Sequence, residues 1–208
     1  MSFHLLNNLK LLQLNTGNGF CKKSQETLLN IINTSKSSII FVSESNSQLD
    51  KPVIMSKQKR LFNEFNIEDK AWVGYNLSRV SFYIRKNIQY KRRTDLENNI
   101  NSTIVIEVKR SKGQRVFIIG SYLQWRGKSP LCPYNEYDNH HAILRLRDLI
   151  TLWERVVKLG QTVLMGDLNI DYHTPNDPSS RVELKDLIPM MDDFIQNDRM
   201  CQLNFEPT

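Results

Sequence analysis

Cysteine is scarce and scattered: Cys21, Cys132 and Cys201 are the only three in the chain, and no two form a C-x-x-C pair. That excludes a disulfide framework and a zinc ribbon, and it fits a reducing compartment. Long apolar runs are lacking as well. "SSIIFV" and "VFIIG" fall far short of the roughly 20 residues that a membrane span takes, and "MSFHLLNN" has neither a basic leader nor a small-residue cleavage site. A soluble, intracellular chain with no membrane partner is expected. Histidine is limited to four residues. His140 and His141 lack a nearby thiol or third histidine and read as helix-start residues, and His173 reads as a loop residue. Internal repeats and low-complexity tracts are absent. What remains is 208 residues, 40% of them hydrophobic, enough to close one substantial core.

Charge is unevenly spread. The net charge is +6, but the segment from Arg79 to Arg115 holds ten Lys/Arg against three acids, a local +7, and the rest of the chain is close to neutral. Such a segment fits a polyphosphate partner, through charge neutralisation and counterion release; it equally fits a solvated face that keeps the protein soluble. Arg85, Lys86, Arg92 and Arg93 are the candidates for contact with nucleic acid.

The hydrophobic pattern alternates between strand and helix. Lys10 to Asn15 is an apolar strand stopped by "NTGNG", a tight-turn signal. A helix is expected from Ser24 to Thr34, with Ser24 as N-cap, then a strand in "SSIIFVSE" ending at Glu44, which together predict a parallel pair. A short helix near Ser56 to Phe65 precedes four strands, "AWVGY", "VSFYIRK", "TIVIEVK" and "VFIIGSYL", which read as antiparallel, with "RSKGQR" as a hairpin turn. Between Asn139 and Leu159, Ile143, Leu146, Leu149, Ile150, Trp153, Val156 and Val157 recur at helical spacing, and Gly160 follows as a cap. A last helix is expected from Pro189, burying Met190, Phe194 and Ile195. Two βα units around a run of hairpin strands predict one domain over residues 1–208, a layered α/β sandwich with a mixed sheet.

The chemistry gathers at strand ends. In "QTVLMGDLNIDYH", Asp167 and Asn169 stand two apart, a spacing that on a strand puts both on one face, with Leu168 toward the core. Asn15 closes the first strand, Glu44 the second, and Tyr122 and Gln124 a later one. In open α/β sheets ligands collect outside the carboxyl ends of strands, so these groups can converge on one crevice. Two carboxylates with amide oxygens and no thiolate suit Mg²⁺ or Mn²⁺ and a phosphate ester, with one carboxylate taking the proton of an attacking water. Singly, each residue also has a purely structural reading: "GDLN" as a turn, Glu44 as an exposed strand-end charge, Asn15 as a loop former.

"LLQLNTGNG", "IIFVSES", "VFIIGSYLQ" and "VLMGDLNID" together resemble successive motifs of the endonuclease/exonuclease/phosphatase superfamily, and with the terminal "QLNFEPT" they are more narrowly similar to the apurinic-endonuclease-like endonuclease domain of non-LTR (LINE-type) retrotransposons. The resemblance covers about Lys10 to Thr208. It implies a DNase I-like sandwich of two mixed sheets flanked by helices, and a Mg²⁺-dependent (or Mn²⁺-dependent) DNA endonuclease. Glu44 would bind the metal, Asn15 would support the metal and phosphate, Tyr122 would contact the scissile phosphate, Asp167 would activate or orient water, and Asn169 would position phosphate or nucleophile. Asn18 departs in spacing from the Asn-x-Asn-Gly pattern of the family. The resemblance further implies DNA as partner, fusion to a reverse transcriptase in a parent polyprotein, and nuclear action. The family continues with Ser-x-x-Asp and Ser-Asp-His motifs that have no counterpart before Thr208, so the chain is expected to lack its last strands and to turn over weakly or not at all. Two alternatives stay open: a non-catalytic nucleic-acid-binding remnant, and a phosphatase of the same superfamily acting on a small phosphate ester.

Overall fold

The computed structural model describes residues 9–15, 30, 34, 36–43, 72–77, 80–97, 102–110, 113–123, 139–170, 184–198 and 200. Two four-stranded sheets form its centre. The first has the order β1-β2-β4-β3, from β1 (Leu11–Asn15), β2 (Ile39–Ser43), β3 (Trp72–Leu77) and β4 (Val80–Arg85); the second has β5-β6-β7-β8, from β5 (Tyr90–Arg92), β6 (Thr103–Lys109), β7 (Arg115–Tyr122) and β8 (Gln161–Asp167). Both sheets are mixed. β1 and β2 run parallel and so do β7 and β8, while the other neighbours are antiparallel.

Alternation along the strands sorts the side chains into two hydrophobic layers. Between the sheets lie Phe41, Phe82, Ile84, Ile104, Ile106 and Ile118; on the other face of the second sheet, Val105, Phe117 and Ile119 meet the helices α1 (Asn139–Val157) and α2 (Leu184–Asn197). Ile40, Val42 and Tyr83, of opposite parity to the inter-sheet residues, are buried too, so the outer face of the first sheet is covered. Desolvation there pushes the Tyr83 phenol well above its ordinary value. At Gly120 a Cβ would stand 2.4 Å from the ring of Phe41 and 2.5 Å from that of Phe82, so the sheets approach this closely only over a glycine.

The expected layered α/β sandwich is the observed one, with two sheets where residue patterning alone predicted a single mixed one. β6 covers the expected seven residues, Arg110 donates its backbone N–H to the Gln114 carbonyl in the hairpin, and α1 ends at Val157, three residues before the expected cap at Gly160. Two elements differ. α2 begins at Leu184, five residues before Pro189, and the proline sits on an exposed position inside it. As the sixth residue of the helix the proline forfeits the bond to the carbonyl four residues back and crowds that carbonyl, and burial of Leu187, Met191 and Phe194 outweighs the loss. Met190 and Ile195 are half-buried against the same layer. β5 and the 3-10 turn Thr94–Leu96 carry no apolar period and were not foreseen. Of the expected helix at 24–34 only Asn30 and Thr34 are described, both helical; the one near 56–65 lies outside the described residues. No helix among the described residues is long and apolar enough to cross a membrane.

Candidate active site

The carboxyl ends of β1, β2, β7 and β8 point to one pole of the sandwich. Asn15 is in register with Ser43, and Tyr122 with Asp167. Parity aims them: Leu11 on β1 and Val163 and Met165 on β8 face the gap between the sheets, so Asn15 and Asp167 face it as well. There the Asn15 Nδ2 donates to the Asp167 Oδ2 at 2.5 Å across 152 residues of chain. Two groups from different sheets, each chosen for closing an apolar strand, are thereby in direct contact.

A glycine makes this possible. At Gly166 a Cβ would lie 2.3 Å from the carbonyl oxygen of Ser121, so only glycine lets β8 close on β7 and set Asp167 beside Tyr122. The Gly166 N–H and carbonyl, turned to the outer edge of β8, bind the side-chain amide of Gln13: Gly166 N donates to Oε1 at 2.9 Å, and Nε2 donates to the Gly166 carbonyl at 2.8 Å. Gln13 was not singled out from the sequence. A glutamine in an apolar strand has no local signal of a partner 153 residues away.

The strand stops at Asp167, so alternation does not reach Asn169 as expected. Asn169 instead adopts φ 53°, a left-handed conformation that asparagine tolerates, and its backbone N–H donates to Asp167 Oδ1 at 2.9 Å. Its Nδ2 donates to the Leu123 carbonyl at 2.8 Å, tying the turn to the end of β7. Both carboxylate oxygens of Asp167 thus accept a hydrogen bond. Tyr122, 5% exposed, belongs to the inter-sheet layer, and behind it Ser121 Oγ accepts from Trp153 Nε1 at 3.2 Å and contacts Thr103 Oγ1 at 3.0 Å. Glu44, Gln124, Asn18 and His173 lie outside the described residues, although Ser43, next to Glu44 in sequence, is Asn15's strand partner.

The basic segment divides between ion pairs and an exposed pole. Arg92 is held in a two-point ion pair with Glu97, Nε to Oε1 at 2.8 Å and Nη2 to Oε2 at 2.7 Å. Arg93 spans Asp95 at 2.9 and 2.7 Å and Glu107 at 2.8 Å, with its guanidinium 5.8 Å from the centre of the Phe117 ring. These guanidiniums fasten β5 and the 3-10 turn to the second sheet. Arg85 Nε donates to the Ser37 carbonyl at 2.7 Å, and Lys86 follows it, exposed. Register puts both of these at the pole opposite Asp167: Ile84 pairs with Ile39, at the amino end of β2. Counting basic residues in the sequence could not reveal that.

Neither a protein-family model nor a curated protein matches the sequence. Solved structures match the fold. The endonuclease domain of TRAS1, a telomere-specific non-LTR retrotransposon, superposes with a TM-score of 0.54 at 11% identity over 89% of this chain and 70% of that one. The Xenopus laevis APE2 catalytic domain gives 0.54 at 12% identity over 89% and 67%, and the Neisseria 3′ phosphatase NExo bound to a product DNA hairpin gives 0.52 at 16% over 88% and 70%. This is the endonuclease/exonuclease/phosphatase fold. At these identities the endonuclease/exonuclease/phosphatase likeness establishes architecture.

For a divalent ion the donor chemistry fits: carboxylate and amide oxygens gather without a thiolate. Among the described residues no group of three His, Cys, Asp or Glu forms.

Proposed function

We propose that this chain is the phosphodiesterase domain of a retrotransposon-type protein and hydrolyses a DNA backbone bond with a divalent metal. The observation that carries the reading is the Asn15–Asp167 contact at the carboxyl ends of two sheets. It is supported by the sequence motifs and by fold neighbours that include the TRAS1 endonuclease domain and the 3′ phosphatase NExo bound to a product DNA hairpin.

Asp167 is the base. Asn15 and the Asn169 N–H orient its carboxylate, and it accepts a proton from a water whose oxygen attacks phosphorus. The phosphorus bond to O3′ breaks, and O3′ takes up a proton to leave a 3′ hydroxyl opposite a 5′ phosphate. Glu44 and the Asn15 amide oxygen would hold Mg²⁺ or Mn²⁺, which supplies Lewis-acid polarisation of a phosphoryl oxygen when bound. Tyr122, in register with Asp167, would meet the scissile phosphate.

Nicking of supercoiled plasmid tests this. Weak nicking is expected with Mg²⁺, lost in EDTA, and reduced by at least ~10²-fold in Asp167→Asn. Equal nicking by wild type and Asp167→Asn overturns the reading.

A further inference from the structure

The pole opposite Asp167 is strongly cationic. Lys10 and Lys36 lie at the amino ends of β1 and β2, and Lys86 follows the carboxyl end of β4. They are drawn together by Ser38 N–H donating to the Lys10 carbonyl at 2.7 Å and Arg85 N–H donating to the Ser38 carbonyl at 3.1 Å. On the second sheet, Lys109 and Arg115 pair across the hairpin, and the Lys109 N–H donates to the Gln89 carbonyl at 3.0 Å, which joins the hairpin to the turn after Lys86. Lys158 closes the row beside a shallow groove of about 350 Å³ lined by Gly113, Gln114, Arg115, Leu159, Gly160 and Gln161.

All six cations are on exposed residues. Among the described residues the acids near them are already engaged or set back: Glu107 accepts from Arg93 at 2.8 Å and lies 3.7 Å from Arg115, and Glu154 is half-buried. Strands about 4.8 Å apart in sheets about 10 Å apart spread the row over roughly 20 Å, and β8 separates it from Asp167 by about another 20 Å.

We propose that this pole is a nucleic-acid surface, which grips the phosphate backbone on the side of the molecule away from Asp167. Duplex DNA carries one charge per about 1.7 Å of axis, a density that a row of lysines neutralises with release of counterions. Leu159 is the single large hydrophobic that stands exposed among the described residues, at 50%, so the described part of this face offers little of the apolar surface a bilayer or a protein partner would bury. The proposal does not rest on the phosphodiesterase reading.

Fluorescence anisotropy of a labelled duplex in EDTA tests it, with Lys86→Gln, Lys109→Gln and Lys158→Gln combined. Affinity is expected to fall roughly tenfold or more and the slope of log affinity against log salt to flatten by about 2 to 3, while Lys→Arg at the three positions retains both. Thermal unfolding of the triple variant confirms that it is folded. Nicking by wild type and Asp167→Asn, read in parallel with Mg²⁺, tests the phosphodiesterase reading separately, so failure of one idea does not imitate failure of the other. Unchanged affinity and slope in the triple variant overturn the proposal. So does binding to an acidic polypeptide without measurable binding to the duplex.

Discussion

Gln13 on β1 and Gly166 on β8 form a two-point hydrogen bond in which a side-chain amide takes the place of a neighbouring peptide group. It joins the edge of one sheet to the edge of the other, one residue before Asp167. Gln13→Ala is expected to remove about 1–2 kcal/mol of stability, read as a shift of the denaturant midpoint at constant slope. Gln13→Glu keeps an acceptor for the Gly166 N–H and loses the donor to its carbonyl, so it should fall between wild type and alanine in salt.

Gly166→Ala is expected to cost at least ~2 kcal/mol, because the added carbon collides with the Ser121 backbone and not with a side chain able to rotate. Relief requires β8 to move from β7, which carries Asp167 with it. Nicking should therefore fall by more than the loss of folded protein explains, a comparison made by correcting turnover for the folded fraction.

Asn15→Ala should lower nicking by ~10²-fold, the order of loss that accompanies small misplacement of a reacting group. Asn15→Asp sets a second carboxylate against Asp167 and should be worse at neutral pH, recovering in part as the solution is acidified and one of the two takes up a proton. A pH series of both variants against wild type reads the difference.

Arg93, by hydrogen bonding, holds the Asp95 carboxyl down at about 2, below its ordinary 3.8. A carboxyl lowered in the folded state stabilises above its unfolded value and loses that contribution as pH falls through the folded one. The ion pair is expected to contribute evenly at neutral pH and to fade between about pH 4 and 2. Asp95→Asn should flatten the part of the acid-unfolding curve in that window and leave the rest unchanged, as followed by circular dichroism.

Much of the frame was legible because its signals are local. The alternation in "TIVIEVK" and the turn in "RSKGQR" define β6 and its hairpin, and the apolar period from Ile143 to Val157 defines α1. Asn15 and Asp167 were legible as strand ends, and parity then determined that they face each other. The misses are non-local. β5 owes its place to pairing with β6 and to the ion pairs of Arg92 and Arg93, not to any pattern of its own. Pro189 is tolerated within α2 because packing of Leu187 and Met191 extends the helix upstream. The cations of the Arg79–Arg115 segment could be counted in the sequence but not located, since only strand direction reveals which pole a loop serves.

The indole of Trp153 has a use beyond packing. Its N–H donates to the Ser121 hydroxyl, and Ser121 immediately precedes Tyr122 in the strand that borders Asp167. The bond ties the helix layer to the strand that ends beside Asp167, so a shift of α1 would be passed to Tyr122 through a single serine hydroxyl.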